Sequence, residues 1–385
     1  MEATGRVAKG GLRTFGVEEE LLLVNRDTLE LSRGAHAVMV ADAAHRRSGG
    51  VADDPREPRL TLEVKEEQIE VVSAPGLHVD ELERNIRWGR RIASEAAGEA
   101  GATIAALGTS PYVGHAHLVA NERYMRLAQN FGRTLEEQLT CGFHVHVAVA
   151  DLEECVAVLD RIRVWLPIVL ALSANSPFWH GGPTGFASYR YQVWGRWPMT
   201  GPNTIFGSAA GYRERVGILM ESGVPLDEHM LYFDARFSSR IPTVEVRVAD
   251  VCLDASHAAT VAGVVRALVE TAGREWRAGR DPDPTASDVL RVWQFQASRA
   301  GLSGDLVDAT LRRAVPAHDA VAGLLAHVRP ALADSGEVSR IEEGLAAILA
   351  EGTGSAAQLE AFARRGNLSD VVADAVARTA KGTGR

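Results

Sequence analysis

The hydrophobic and polar positions of this 385-residue chain change period near residue 250. Before that point short segments alternate with period two, the spacing of strands buried on one face. Phe15 to Val24 (FGVEEELLLV) predicts a strand ending at the polar turn Asn25-Arg26-Asp27, after a loose tail over residues 1–12. Residues 44–60, with Gly49-Gly50, Asp53-Asp54 and two prolines, predict a loop, and Leu62 to Val72 predicts a second strand. Further strands are expected at Ala102 to Leu107, Gly142 to Val149, Leu231 to Arg236 and Thr243 to Val248. Asp80 is placed to cap a helix running to about Ala97, with Leu82, Ile86 and Ile92 among its apolar positions, and Leu152 to Ala174 predicts one long buried helix. The stretch from Asn175 to about Gly211 is rich in Gly, Pro, Arg and aromatics and predicts a long loop; loops of that length inside a compact domain are normally functional.

After Asp254 the period becomes helical, with helices predicted at Ser256–Trp276 and Ser287–Arg299 and shorter ones near 305–332, 338–350, 356–364 and 368–380. Strands and helices do not alternate regularly. The expected class is therefore α+β with a mostly antiparallel sheet. Residues 1–255 form the expected sheet core, with an active-site loop at 175–211, and residues 256–385 a helical part packed on it as one integrated domain.

Composition narrows the function classes. Hydrophobic residues make up 46% and charged residues 24%, which excludes a disordered chain. The net charge of −9 gives no global attraction for nucleic acid or anionic membranes. Three cysteines (Cys141, Cys155, Cys252) make no disulfide framework and suit a reducing compartment. The longest apolar run, Val164 to Leu172, falls short of the roughly 18 residues a membrane span needs. The segment Met1 to Arg6 lacks the hydrophobic core of a signal peptide. The expectation is a soluble, cytoplasmic protein.

Phosphate-loop, dinucleotide-fingerprint, CxxC and HExxH motifs are absent from the sequence. Acid on strands stands out instead. Glu18 and Glu20, two apart, share one strand face, and four apolar residues follow. A hard divalent cation would account for carboxylates there; a solvated strand end would carry the same residues. In TLEVKEEQIEVV, Glu66, Gln68 and Glu70 share a parity that Glu63 does not, so Glu63 joins them only if the strand bends or bulges before Lys65. Cys141-Gly142-Phe143-His144-Val145-His146-Val147 places two histidines opposite the valines, a spacing suited to metal or phosphate as well as to a half-buried polar face. Thr243 to Asp250 repeats the pattern, with Glu245 and Arg247 opposite Val244, Val246 and Val248. One sheet with its aliphatic face on helices and its charged face lining a cavity accounts for all four segments. The long loop adds Tyr189-Arg190 and Trp194-Gly195-Arg196-Trp197, and Tyr232 to Arg236 adds another arginine; arginines among aromatics suit anions and planar rings. An acidic metal face beside such a loop is what phosphoryl transfer from Mg-ATP needs.

These residues resemble the glutamate–cysteine ligase type 2 family, also called carboxylate–amine ligases. The resemblance rests on GVEEELLLV, the spaced Glu63, Glu66 and Glu70, CGFHVHV, LSANSPFW, TGFASYR, WGRWP and TVEVRVAD, in order over about residues 15–255. It implies a curved antiparallel sheet making an active-site funnel, as in the glutamine synthetase and guanidino-kinase core. It implies ATP-dependent amide formation through an acyl phosphate, nominally between glutamate and cysteine, with ATP and Mg²⁺ or Mn²⁺ as cofactors. By position, Glu18, Glu20, Glu63, Glu70, His144 and Glu245 match the family's metal-binding positions, and Arg247 an arginine near the transferring phosphate. Arg190 and Arg236 join Arg247 as candidate catalytic residues; Arg190, Arg196, Arg236 and Tyr189 are the candidate nucleotide contacts. Small-molecule acid and amine substrates and a homodimer are implied as partners. Phe143 and Tyr232 depart from the family's usual residues and bear on acceptor selectivity. A ligase for another acid and amine, a small-molecule phosphotransferase and a non-catalytic nucleotide-binding protein are the alternatives.

Overall fold

The computed structural model describes residues 11–383 apart from 49–53, 55, 115, 239 and 240. The expected tail at 1–12 lies, except for Gly11 and Leu12, outside the described residues, as does part of the expected 44–60 loop. In chain order the first elements are β1 (Phe15–Asn25), α1 (Ala35–Ser48), β2 (Arg59–Leu62), β3 (Gln68–Val72), α2 (Val79–Glu99), β4 (Ala102–Ala105), α3 (Glu122–Phe131), α4 (Arg133–Glu136) and β5 (Gly142–Ala148). They are followed by α5 (Leu152–Ile162), α6 (Leu166–Ser173), β6 (Phe178–Trp179), β7 (Gly182–Pro183), α7 (Tyr189–Trp194), α8 (Ala209–Glu221), β8 (Ala235–Ser238) and β9 (Thr243–Asp250). The remainder comprises α9 (Ala255–Arg277), α10 (Ser287–Ala300), β10 (Asp305–Asp308), β11 (Arg313–Pro316), α11 (Ala317–Ser335), α12 (Val338–Glu351), α13 (Gly354–Arg365) and α14 (Leu368–Thr379).

The main sheet runs β2-β3-β1-β5-β9-β8, with β4 on the far half of β1, and every pairing is antiparallel. The α+β class with an antiparallel sheet is thus what the chain adopts. β1 is central because it is long enough to serve three neighbours. Glu18–Leu22 pair with β3, Phe15–Glu19 with β5 and Leu22–Asn25 with β4. Period-two alternation sends Val17, Val145, Val147, Val244, Val246 and Val248 into the core, against α2, α5, α6 and α9. Core residues from both halves of the chain form one cluster, in which Val261, Val264 and Val265 of α9 meet the strand valines.

Two local devices tie the helical layer to the sheet. Gly89 lets α2 approach β3: a Cβ there would lie 2.5 Å from Val71 Cγ1. One residue on, Arg90 reaches Glu19, the charged residue on the core-facing side of β1. Its Nη2 lies 2.7 Å and its Nε 3.0 Å from the Glu19 carboxylate, and it also donates to the carbonyls of Cys252 and Leu253. Both side chains are fully buried.

Several expected elements change. Leu62 to Val72 is a hairpin, not one strand, because Glu63–Glu67 form a turn tied to neighbouring segments. Leu23 N donates to Glu67 O, Ala35 N to Glu66 O and Glu66 N to His117 O. The 152–174 helix breaks at 163–165. Pro167 sits in the first turn of α6, where its missing N–H is tolerated, and the Arg163 side chain is drawn off to the carbonyls of Asn203, Asp283 and Thr285. The 175–211 loop contains β6, β7 and α7, and it is pinned by the buried Asp250 carboxylate, which accepts from Asn175 N, Ser176 Oγ and Ser188 Oγ. The strand expected at 231–236 lies at Ala235–Ser238, the first helix after 305 is preceded by the β10–β11 hairpin, and α1 runs to Ser48 where a loop was expected from residue 44. Arg90→Met leaves the Glu19 carboxylate buried without its partner; urea unfolding is expected to lose about 3–5 kcal/mol, and a loss below about 1 kcal/mol would contradict the tie assigned to this pair.

Candidate active site

The sheet register builds the site. Antiparallel pairing sets Glu20 opposite Glu70, Glu18 opposite His144, and His146 opposite Glu245, so β1, β3, β5 and β9 all present charged groups on the face away from the helices. The β5–β9 register shifts between Phe143 and Val145. This bulge sets Arg247 and Val248 together against His144 and keeps Arg247 on the face of Glu245. The hairpin turn then brings Glu63 to the same face despite its parity, with its carboxylate accepting from Val64 N at 2.8 Å.

Two groups of potential ligand atoms result, each within 4.8 Å: Glu18, His144 and Glu245, and Glu20, Glu70 and His144. His144 is common to both. Its Nδ1 lies 3.2 Å from Glu18 Oε2, while its buried Nε2 has no hydrogen-bond partner and lies 3.7 Å from Glu20 Oε1. His146 Nε2 is 3.3 Å from Glu18 Oε1. Glu20 also accepts from Gly142 N at 2.6 Å, and Glu70 accepts from Thr61 Oγ1 at 2.9 Å. Arg236 grips Glu245 with Nε at 2.7 Å and Nη2 at 3.1 Å, and Arg247 bonds the same carboxylate.

The electrostatics divide this face in two. At one end, burial and then the charge on Glu20 push Glu63 up to about 8. Burial, then Glu18, Glu63 and Glu20, push Glu70 well above the carboxylate range. At the other end burial also pushes upward but is outweighed. His146 and His144 hold Glu18 well below its ordinary value, and Arg247, His146 and Arg236 do the same for Glu245. Burial, then Arg247, lowers His144; burial lowers His146 too, but Glu18 outweighs it and raises that group. A carboxylate-rich donor set with one imidazole, crowded enough to retain protons and holding an orphaned buried ring nitrogen, fits a hard divalent cation such as Mg²⁺ or Mn²⁺.

Two cavities meet on this face. One, of ≈390 Å³, is lined by Glu20, Glu63, Glu70, Lys65, Arg123 and Arg247, with Tyr124, Leu127, Trp194, Trp197 and Tyr232 among its apolar walls. The other, of ≈600 Å³, is lined by His146 and Glu245 with Leu152, Tyr212, Val216, Met220 and Phe237. Glu18, His229 and Arg236 line both. Burial brings Lys65 down to about 8, against the pull of Glu67 and Glu136, which leaves it charged at neutral pH.

All six candidate metal positions, with Arg236 and Arg247, therefore converge. The other candidates do not. Arg190 lines neither cavity: it is buried beside Asp250 at 3.9 Å and donates to the carbonyls of Arg247 and Val248, in the space a Gly142 side chain would need. It supports the bulged strand. Arg196 pairs with Glu137 at 2.7 Å, and Tyr189 stacks among Trp179 and Phe186. Both lie off the cavities, because the Asp250 pinning directs the start of the loop away and leaves Trp194 and Trp197 as its contribution to the wall. Glu66 turns to His36 at 2.7 Å. The sequence reading missed Lys65, Arg123, Tyr124, Leu127 and Gln138; no element was expected between residues 108 and 141, where the structure places α3 and α4.

The metal-free face should make stability depend on pH. Glu63 and Glu70 hold protons in the folded state that the unfolded chain releases near 4.5, so folding is favoured at low pH and loses stability as pH rises from about 4.5 toward about 8. Urea midpoints at pH 5, 6.5 and 8 in chelator are expected to fall more steeply for the wild type than for Glu63→Gln; equal slopes would contradict the assignment.

Comparison with known proteins agrees with this geometry. The profile of glutamate–cysteine ligase family 2 matches residues 14–374. Curated relatives named in the glutamate–cysteine ligase 2 group include one from Paenarthrobacter aurescens, 48% identical over 97% of this chain and 96% of its own length. Another from Streptomyces avermitilis is 45% identical over 96% of this chain and 99% of its own length. Among solved structures, a bifunctional glutathione synthetase from Pasteurella multocida has a similar fold, with a TM-score of 0.70 at 15% identity over 96% of this chain; the chain spans about half, 52%, of that enzyme. A glutamate–cysteine ligase from Francisella tularensis in complex with AMP gives 0.64 at 13% identity, over 97% of this chain and 89% of its own. By sequence along nearly its whole length, the chain belongs to glutamate–cysteine ligase family 2.

Proposed function

We propose that this ligase of the glutamate–cysteine type joins a small-molecule carboxylic acid to an amine at the expense of ATP, through an acyl phosphate. The observation that carries the reading is the convergence of Glu18, Glu20, Glu70, Glu245 and His144 on one sheet face between two cavities. Glu18, Glu20, Glu63, Glu70, His144 and Glu245 would hold Mg²⁺ or Mn²⁺. When bound, the metal supplies charge neutralisation for the β- and γ-phosphates. The larger cavity, with Tyr212, Phe237, Val216 and Met220 available to a planar base, takes the nucleotide; the smaller one takes the acid and the amine. Residues 1–255 form the catalytic part in this reading, and the helices of 256–385 support its sheet.

The chemistry follows from charge. A carboxylate oxygen of the acid attacks the γ-phosphorus of ATP, the bond to the β-phosphate oxygen breaks, and ADP leaves. The amine nitrogen then attacks the acyl carbon, phosphate leaves, and the nitrogen loses a proton. Both steps move negative charge across the wall shared by the cavities. Arg236 and Arg247 are fixed there by Glu245, so their cationic groups are oriented before substrate arrives. The buried, partly aromatic wall limits water that would hydrolyse an acyl phosphate. Glutamate and cysteine are the nominal pair.

An ADP-release assay over pairs of amino acids and amines, with mass spectrometry of products, tests this. Wild type is expected to release ADP in step with an amide; a phosphorylated acid without amide would instead make the protein a phosphotransferase. Glu18→Gln and Glu245→Gln are expected to lower ADP release by on the order of 10²–10³-fold with unchanged circular dichroism. EDTA should abolish turnover, and added Mg²⁺ or Mn²⁺ should restore it. Full turnover in both variants, or in EDTA, would contradict the reading.

A further inference from the structure

Lys65 lines the smaller cavity. It is 1% exposed, in the turn between β2 and β3. Its ammonium donates to the carbonyl of Glu136 at 3.2 Å and forms no ion pair among the described residues. An ammonium has three donors, so a single carbonyl leaves it under-satisfied. The other Lys and Arg side chains lining this cavity are all matched. Arg123 meets Asp227 at 2.7 Å, and Arg236 and Arg247 share Glu245. The negative groups that act on Lys65 are Glu67, held by His117, and Glu136, neither of which belongs to the two groups of potential ligands. A buried cation without a counter-ion is costly to keep unless an anion arrives to match it.

We infer that Lys65 anchors a substrate carboxylate that does not react, fixing the substrate at the end away from the bond being made. The inference rests on the ligase reading for the identity of the ligand, and it deepens that reading by requiring a second carboxylate on the acid or a carboxylate on the amine. The geometry suits this division. The same cavity is lined by Arg236, Arg247 and the carboxylates of Glu18, Glu20, Glu63 and Glu70 as well as by Lys65, so a substrate whose reacting group meets the first set can meet the ammonium with a second carboxylate. Lys65 is a positioning residue: it touches the substrate away from the reacting atoms and has no part in the transfer.

The test is calorimetric binding to the full chain with Mg²⁺ and a non-hydrolysable ATP analogue, for wild type, Lys65→Met and Lys65→Arg. The probes are two pairs differing only in the carboxylate: L-glutamate with 4-aminobutyrate, and L-cysteine with cysteamine. In Lys65→Met the carboxylated member of one pair should bind about tenfold or more weakly, its decarboxylated analogue should change less than about twofold, and Lys65→Arg should recover most of the loss. The pair affected says whether the acid or the amine is held. Because methionine removes an unmatched buried charge, Lys65→Met should melt no lower than wild type; Lys65→Gln, measured with the same two pairs, carries the test if it does. Equal weakening of both members, no weakening of either, or no binding of any probe by wild type overturns the anchor. Binding of glutamate through Lys65 without ADP release with any amine would keep the anchor and sink the ligase reading instead.

Discussion

Like-charge crowding on one buried sheet face is the constraint around which the rest of this protein is arranged. Glu18, Glu20, Glu63, Glu70 and Glu245 gather along one face, half-buried or buried, and carboxylates at that density are unfavourable unless something positive sits among them. At the Glu245 end the protein supplies it through Arg236, Arg247 and the two histidines. At the Glu63 and Glu70 end the positive charge is too little to offset burial and the neighbouring carboxylates, and these two carboxyls are pushed up. In the proposed reading the first end is charge-matched in advance, and the second is the one a cation would complete.

Holding that face together requires a rigid support. The aliphatic side of the same strands packs on α2, α5, α6 and α9, and the buried Arg90–Glu19 pair ties the central strand to α2 and to the segment after β9. Arg190 plays a related part below the β5–β9 bulge, where it bonds the carbonyls of Arg247 and Val248 and so fixes the strand that aims Arg247. Asp250 anchors the 175–211 segment to the end of that strand. Each of these interactions lies one layer away from the cavities, yet each sets the position of a side chain that lines them.

Much of this was legible in the sequence because strands reveal faces. Glu18 with Glu20, His144 with His146, and Glu245 with Arg247 share a parity, and the aliphatic residues of opposite parity, Val17, Leu21, Val145, Val147, Val244 and Val246, mark the core side. Glu63 was legible only conditionally: its parity is wrong for a continuous strand, and a hairpin turn resolves the conflict. Arg190, Tyr189 and Arg196 lie off the two cavities, which composition could not foretell: it says which residue types a loop contains but not where its anchors send them. The serines bonded to Asp250, 74 and 62 residues away in sequence, decide that. Lys65, Arg123 and Tyr124 were not legible at all, because their roles depend on tertiary contacts between segments with no unusual local pattern.

The central claim is that the carboxylate face is a divalent-cation site. Manganese binding to the purified protein in the presence of ADP, followed by the electron paramagnetic resonance of free Mn²⁺, tests it most directly. The account predicts saturable binding that falls steeply in Glu70→Gln and in Glu20→Gln, while Glu66→Gln, whose carboxylate turns outward to His36, binds as wild type. Manganese that stays free with the wild-type chain, or binding that Glu70→Gln and Glu20→Gln leave untouched, would contradict it.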